Sequence, residues 1–337
     1  MTSKPIRFGL YYDFRNPTGH RQDSAALYSG ILDQIVRAEA LGWDDVWVSE
    51  HHFCDDDYLP SVFPVLAAIA ARTTRIRIGT GILILPFHDP LRIAEDAAVV
   101  DILSGGRLEL GIGAGYRAEE FAGFGIDPAE RAGRLNEALP LLRRLFAGET
   151  FSHHGKYYDY GEICLRPRPV QGAQLPIWTG GTTPAAIRRA ARHCDGFLGL
   201  GPIGPMIPAY REELRKAGKD PDSAEVASAL MWLLVARDPE ARWKQAQPHL
   251  SYQITRYAEW TQAAGLDFFK PAHDRTALEQ QGCLIVTPEQ ATEILAKFID
   301  ENELTRFYSW TLPPGLPPEW SDEHVELFAT EVAPNFR

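Results

Sequence analysis

Two adjacent histidines stand at the end of a short apolar strand, within residues 46–53 (VWVSEHHF). Neighbouring residues of an extended chain point to opposite faces, so His51 and His52 do not readily chelate one metal ion. An imidazole titrates near neutral pH, and at a strand end it can act as an acid, a base or a charge stabiliser. We expect one histidine to face a site, oriented by Glu50, while the other packs sideways. A hydrogen-bonded structural histidine is the alternative.

A second candidate site follows another predicted strand, where Gly180, Gly181, Thr182 and Thr183 precede a helix that begins at Pro184. Glycines let backbone N–H groups approach an anion, and the N-terminus of a helix adds a favourable potential. The threonine hydroxyls supply further donors. These residues predict a phosphate-binding loop, and an ordinary glycine-rich turn with a threonine cap is the alternative.

Small residues mark two further strands. Residues 111–116 (GIGAGY) resemble a weak dinucleotide-binding fingerprint, but no helix follows where that fingerprint requires one. We expect Gly113 and its neighbours to let a planar ligand lie against the backbone. Gly81 lies inside residues 79–82 (GTGI), where a glycine indicates a bulge or the close approach of a ligand. A plain core strand is the alternative there.

Eight predicted strands alternate with helices and deliver these residues at their ends. The strands are predicted at 6–11, 45–49, 75–85, 108–112, 176–179, 196–200, 227–235 and 306–311. Alternation predicts a parallel sheet, and eight strands suggest a closed (β/α)8 TIM barrel with its active site at the carboxyl ends of the strands. An open doubly wound sheet is the alternative, which the lack of an early G-x-G-x-x-G weakens.

Two segments break the alternation, and we expect both to be insertions in a single domain that covers residues 1–337. The first, residues 148–175, is predicted to include a short hairpin. The second, residues 249–283, follows a helix predicted to run from 239 to about 247, and it is rich in aromatic side chains. A connection this long is usually functional, so we predict an active-site lid. Trp260 in this segment and Trp310 in the last strand are the predicted substrate contacts.

The composition limits the classes of partner and ligand. The chain has 337 residues, 45% of them hydrophobic, and a formal net charge of −11. This charge argues against nucleic acid or an anionic membrane surface as a partner, and no apolar run approaches the ~20 residues of a membrane span. The four cysteines are far apart and the N-terminus has no apolar signal core, so we expect a cytoplasmic protein with reduced thiols. His88, His153, His154 and His273 show no chelating pattern, and no metal site is predicted.

Taken together and in order, the motifs resemble the bacterial luciferase-like flavin-dependent monooxygenases. The resemblance covers about residues 5–200, and its motifs are EHHF at 50–53, GTGILILP at 79–86, HDP at 88–90, AED at 94–96, SGGRL at 104–108, GIGAGY at 111–116 and PIWTGG at 176–181. It implies a (β/α)8 barrel with insertions that binds FMN or a deazaflavin at the mouth. It also implies that a separate reductase supplies the reduced flavin, which reacts with O2, and that the protein forms a homodimer.

The resemblance assigns roles to individual residues. His51 is similar in position to the family's catalytic histidine, and residues 180–183 are similar to its phosphate-binding loop. Gly81 and Ile82 stand where family members often carry a non-prolyl cis peptide beneath the flavin ring. Gly113 and Tyr116 are expected beside the cofactor.

One departure from the family pattern concerns the phosphate. Luciferase itself has a reactive cysteine followed by an arginine where this chain has Gly113 and Ala114. Light emission is therefore not expected, and the arginine contact to the phosphate must come from elsewhere. Arg117 and Arg188 are the candidates.

Three functions follow from this reading. The first is a monooxygenase that uses reduced FMN and O2 to oxygenate a small apolar or aromatic substrate through a C4a-peroxyflavin. The second keeps the fold and transfers hydride with a deazaflavin. The third is a barrel that binds flavin without catalysis, since a fold alone does not establish a reaction.

Overall fold

The computed structural model describes residues 5–337. Its strands are β1 (Arg7–Tyr12), β2 (Asp45–Val48), β3 (Arg77–Ile84), β4 (Leu108–Gly113), β5 (Phe151–His154), β6 (Asp159–Ile163), β7 (Ile177–Thr179), β8 (Gly196–Leu198), β9 (Glu225–Leu230), β10 (Trp232–Val235), β11 (Cys283–Val286) and β12 (Arg306–Trp310). Its helices of six residues or more are α1 (Ser24–Leu41), α2 (Val62–Arg72), α3 (Pro90–Ser104), α4 (Ala118–Gly123), α5 (Arg131–Ala147), α6 (Pro184–His193), α7 (Ile207–Lys216), α8 (Pro239–Ala263), α9 (Arg275–Gln280), α10 (Pro288–Asn302) and α11 (Asp322–Leu327).

Eight of these strands close into a barrel in the order β1-β12-β9-β8-β7-β4-β3-β2. Every neighbouring pair in the barrel is parallel. The predicted TIM barrel is confirmed, and closure excludes the open doubly wound sheet. The hairpin predicted in the first insertion is formed by the antiparallel strands β5 and β6.

Local signals start several of the helices soon after a strand ends. Asp89, Thr183, Asp238 and Thr287 each accept a hydrogen bond from a backbone N–H in the first turn, and a proline follows each of them. Such caps satisfy donors that a helix leaves free, and proline suits the first helical position. A helix therefore begins soon after each of β3, β7, β10 and β11, and the ends of the barrel strands β3 and β7 lie at the mouth of the barrel.

A buried ionic cluster fills the amino-terminal end of the barrel. Arg306, at the start of β12, donates to Asp45 at 3.1 Å and to Glu109 at 2.8 Å. Its guanidinium carbon also lies 4.6 Å from the ring centre of Trp178 and 5.5 Å from that of Trp47. The barrel interior is therefore packed at this end, as in other barrels of this type, and the opposite end is left for ligands.

The seventh predicted strand, at 227–235, is in fact two strands. Glu225–Leu230 forms β9 in the barrel, and Trp232–Val235 forms β10, which leaves the barrel and pairs in parallel with β11. A continuous apolar run cannot show by itself where one sheet ends and another begins, because both strands are buried.

The helix α8 runs much further than predicted. It spans Pro239–Ala263 and passes through Pro248, although proline removes one helical hydrogen bond and usually ends or kinks a helix. Buried side chains beyond the proline, including Leu250 and Ile254, anchor the second half to the core. The second insertion is therefore a helical arm followed by a shorter connection. Within residues 5–337, no helix combines the length and apolar character needed to cross a bilayer.

Candidate active site

His51 lies just beyond the end of β2 and is held by a carboxylate that the sequence analysis did not identify. The Nδ1 atom of His51 is 2.7 Å from Oε1 of Glu120, which lies on α4. The same oxygen accepts from the backbone N–H of His52 at 2.9 Å and from Arg117 at 3.0 Å. Glu120 is fully buried. Three donors therefore fix this carboxylate, and the carboxylate in turn fixes the imidazole.

The protonation of this pair follows from its surroundings. Burial lowers the pKa of His51, and the hydrogen bond to Glu120 opposes that effect only in part. Burial alone would raise the pKa of Glu120, but the hydrogen bond from His51 and the other donors lower it. An ionised carboxylate can only accept, so Nδ1 carries the imidazole proton. His51 is then neutral at pH 7, with an unprotonated Nε2.

Aromatic rings surround His51. The ring centres of Tyr58, Trp260 and Tyr116 lie 4.8, 5.2 and 5.7 Å from that of the imidazole. The predicted contact residues Tyr116 and Trp260 thus meet the predicted catalytic histidine. Trp260 reaches this place because α8 continues past Pro248. The rings form an apolar enclosure in which charges are weakly solvated.

Two buried guanidinium groups stack on Trp260. The guanidinium carbon of Arg117 lies 4.2 Å from one Trp260 ring centre, and that of Arg15 lies 4.8 Å away. Arg15 is buried and is paired with Asp56 at 3.0 Å and Asp13 at 3.4 Å. Burial raises the pKa of Asp13 to about 6, although Arg15 opposes this shift. The ion pairs hold the enclosure rigidly around Trp260.

Glu50 does not orient His51, which corrects the prediction. Its Oε1 accepts from Nε2 of His52 at 2.6 Å and lies 2.7 Å from Nε2 of His88, while its Oε2 accepts from the backbone N–H of Ile84 at 2.7 Å. The two adjacent histidines therefore have different carboxylate partners, as their alternation along an extended chain requires. Glu50 lies on the same side of the chain as the His52 side chain, away from His51.

The ends of β3 and β4 form a cradle that matches the predicted ring site. The peptide bond between Gly81 and Ile82 is cis, and Tyr11 donates its hydroxyl to the Gly81 carbonyl. A Cβ atom on Gly113 would lie 1.8 Å from Cδ1 of Ile82, so the Ile82 side chain occupies space that only glycine leaves open. Trp310 packs on Tyr11, with ring centres 4.2 Å apart. Trp310 therefore supports the cradle from β12 through Tyr11.

The loop after β7, where the sequence predicts a phosphate site, is packed closely around its two glycines. A Cβ atom on Gly180 would lie 1.7 Å from the carbonyl oxygen of Leu198, and Gly181 has a φ of +141°. The backbone is therefore closely packed and accepts glycine alone at its tightest point. The Thr183 hydroxyl caps α6, while Gly181 and Thr182 line a cavity of about 730 Å³.

Neither arginine suggested for the phosphate reaches this cavity. Arg117 is engaged with Glu120 and Trp260, and Arg188 lies 3.5 Å from Glu213. The cavity lining, within the described residues, contains no lysine or arginine and includes Glu279. The donors available to a phosphate here are the backbone N–H groups of the loop and threonine hydroxyls.

Strand order brings most of these features to one edge. The strands β2, β3, β4 and β7 are neighbours in the barrel, so His51, the Gly81–Ile82 peptide, Gly113 and the loop at 180–183 follow one another around the mouth. The residues fit a planar ring on the cradle and a short phosphate tail at the loop. His51 and its aromatic enclosure lie at the other end of this arc.

The chain is similar to known proteins over most of its length. A family model described as luciferase-like monooxygenase matches residues 6–301. The chain is 31% identical to limonene 1,2-monooxygenase of Rhodococcus erythropolis over 336 aligned residues, which cover 94% of this chain and 84% of that protein. It is 33% identical to an F420-dependent glucose-6-phosphate dehydrogenase of Microbacterium testaceum over 223 residues, which cover 62% of this chain and 65% of the dehydrogenase, less than two thirds.

A solved structure shows the same fold. The oxygenating constituent of 3,6-diketocamphane monooxygenase of Pseudomonas putida, in complex with FMN, superposes with a TM-score of 0.79 at 20% identity. The superposition covers 99% of each chain. At this identity the similarity establishes the architecture of the barrel.

Proposed function

The chain belongs to the luciferase-like monooxygenase family, and we propose that it transfers one oxygen atom from O2 to a small apolar or aromatic substrate. Reduced FMN, delivered by a separate reductase, supplies the two electrons, and the second oxygen atom leaves as water. The observation that supports this most strongly is the position of His51, whose Nδ1 lies 2.7 Å from Glu120 inside an aromatic enclosure at the barrel mouth. A deazaflavin-dependent hydride transfer is the second candidate, because one relative is an F420-dependent dehydrogenase.

The residues of the chain have distinct tasks in this proposal. Bound reduced FMN provides the reaction with O2, which protein side chains alone do not perform. Gly81, Ile82 and Gly113 support the ring, and residues 180–183 hold the phosphate through backbone and hydroxyl donors. The rings around His51 exclude water from the reacting face. Nε2 of His51 accepts or returns a proton there, while Glu120 keeps the other nitrogen protonated.

The lining of the large cavity favours FMN over a deazaflavin with a long anionic tail. Coenzyme F420 carries further carboxylates beyond its phosphate, and these need cationic partners. Within the described residues, the cavity beside Thr182 has no such partner, and its apolar lining includes Met206, Phe268 and Phe269. A short phosphate monoester can be held by the loop alone, whereas additional carboxylates would meet apolar side chains and Glu279.

Anaerobic titration of the purified chain with reduced FMN and with reduced F420 tests the choice of cofactor. We expect reduced FMN to bind at least about 10-fold more tightly, a difference of roughly 1.4 kcal/mol. Equilibrium dialysis gives both dissociation constants, and Gly180→Ala is the control, because a methyl group there would collide with the Leu198 carbonyl. Micromolar binding of F420 with negligible binding of FMN would overturn the proposal in favour of hydride transfer.

We also propose that the protein is a homodimer that pairs through α3. Val99, Ile102 and Leu103 on this helix are 47, 42 and 53% exposed, and an apolar surface of this kind favours a protein partner. Sedimentation equilibrium at micromolar concentration is expected to show a dimer, and Leu103→Asp a monomer. Phe268→Asp, which places the same charge on an exposed apolar side chain that lines the large cavity, is the control. A wild-type monomer would contradict this proposal.

A further inference from the structure

Three potential metal ligands converge on the side of β2 that His51 does not use. Oε1 of Glu50 lies 2.6 Å from Nε2 of His52 and 2.7 Å from Nε2 of His88. The ligand atoms of these three residues all lie within 4.8 Å of one another. Their side chains are 1, 9 and 26% exposed, respectively. The cluster is therefore largely buried but open to solvent at His88.

Glu50 differs in its partners from several of the other buried acids. Glu120 has Arg117, Asp56 has Arg15, and Glu109 has Arg306 as a partner. Among residues 5–337, no lysine or arginine forms an ion pair with Glu50, whose partners are two imidazoles and one backbone N–H.

The surroundings of Glu50 suit a bound cation. A buried carboxylate is costly unless it is paired or coordinates a metal ion. The described neighbours of Glu50 supply imidazole nitrogens and a backbone N–H, but no ammonium or guanidinium group.

Two imidazole nitrogens and one carboxylate oxygen form a donor set that suits Zn²⁺, which often takes three protein ligands and a water molecule. A separate cavity of about 390 Å³ reaches Glu50 and His88, and Ser61 and Asp96 also line it. It offers a path of entry and room for the water. We propose that Glu50, His52 and His88 bind one divalent transition metal ion, with Zn²⁺ as the best match.

The ion would stabilise the cradle at the ends of β3 and β4 through the hydrogen bonds that Glu50 makes with the backbone of β3. The backbone N–H of Glu50 donates to the carbonyl of Ile82 at 3.3 Å, and its carboxylate accepts from the N–H of Ile84 at 2.7 Å. Glu50 thus contacts the chain on both sides of Leu83, directly after Ile82. A metal ion bound to Glu50 and to His88, which follows β3, would fix this stretch without touching the reacting groups.

The test measures metal rather than flavin, so its failure would leave the proposed reaction untouched. The protein is stripped with EDTA, dialysed and titrated with ZnCl2 in competition with a colorimetric chelator. One Zn²⁺ per chain is expected, and Co²⁺ is expected to give the intense visible absorption of a four-coordinate site. Circular dichroism before and after the EDTA treatment shows that the stripped protein is folded.

Two matched variants decide the location of the ion. His88→Gln removes one ligand and is expected to weaken Zn²⁺ binding by more than the roughly 10- to 100-fold that the loss of an outer-shell partner costs. His153→Gln is the control, because His153 is similarly exposed at 23% and pairs with a single glutamate, Glu137. Absence of stoichiometric uptake by the wild type, or equal uptake by His88→Gln, would overturn the proposal. Equal loss in both variants would overturn it as well.

Discussion

Replacement of His51 by alanine is expected to lower the rate of substrate oxygenation by roughly 100- to 10,000-fold, the range that a positioned acid or base contributes. Within residues 5–337, His51 is the only histidine whose imidazole contacts Glu120, and the variant removes it. The substitution also opens the aromatic enclosure to water. The measurement is product formation with reduced FMN, O2 and the best substrate from a panel of apolar and aromatic compounds. Release of H2O2, followed in parallel, is expected to rise because the oxidising equivalents are no longer directed to the substrate.

His51→Gln separates proton transfer from hydrogen bonding. Glutamine can donate to Glu120 but does not titrate near neutral pH. We expect it to be as slow as the alanine variant while it binds reduced FMN as the wild type does. If either variant oxygenated substrate at the wild-type rate, His51 would have no catalytic role.

Replacement of Glu120 by glutamine is expected to lower the oxygenation rate by about 10- to 100-fold, as the loss of an orienting partner commonly does. The amide removes the charge that keeps the proton on Nδ1 of His51, and its NH2 group can donate to that nitrogen instead. The imidazole would then carry its proton on Nε2, the wrong atom for accepting one. Glu119→Gln is the matched control, because Glu119 is the exposed neighbour on the same helix.

The pH profile distinguishes orientation from a merely structural effect. Burial lowers the pKa of His51 below the ordinary value of 6.5, and Glu120 raises it in part. The neutral imidazole is the active form, so wild-type activity should be constant through neutrality and fall below pH 6.5. In Glu120→Gln the carboxylate that raises the pKa of His51 is lost, so the fall in activity at acid pH should move to lower pH. If the fall in activity occurred at the same pH in the variant and the wild type, Glu120 would not control the protonation of His51.

Much of this architecture is visible in the chain because short-range rules determine it. Apolar runs mark the strands, and capping residues before proline and glycines at strand ends mark where the strands stop. These signals are enough to predict that the ends of β2, β3, β4 and β7 lie together at the mouth of the barrel. The motif at 50–53 identifies His51 as the residue to test, and the cis peptide at Gly81–Ile82 is where the resemblance implies it. These features depend on residues that lie close together in the sequence.

The residues that the sequence analysis missed depend on long-range packing. Glu120 is 69 positions from His51, on a six-residue helix too short to show a periodic pattern. Glu50 was assigned to the neighbouring His51 because adjacency was the only information, whereas His88 meets it across 38 positions. The helix predicted to end near residue 247 continues to Ala263 because tertiary contacts bury its second half, which includes Trp260. In each case the burial of distant side chains outweighs the local signal.

The ionic cluster around Arg306 determines through which end of the barrel ligands can enter and leave. Arg306, Asp45 and Glu109 are 2, 1 and 2% exposed, so neither solvent nor a small molecule passes between them. The barrel is closed at its amino-terminal end, so in the proposed reaction the flavin, substrate, O2 and product would all use the opening at the opposite end. A flavin seated on the Gly81–Ile82 peptide would cover the deepest part of that opening. A substrate that bound first would therefore block the entry of the flavin. A barrel with one closed end thus favours an order in which the flavin binds before the substrate and the product leaves before the flavin.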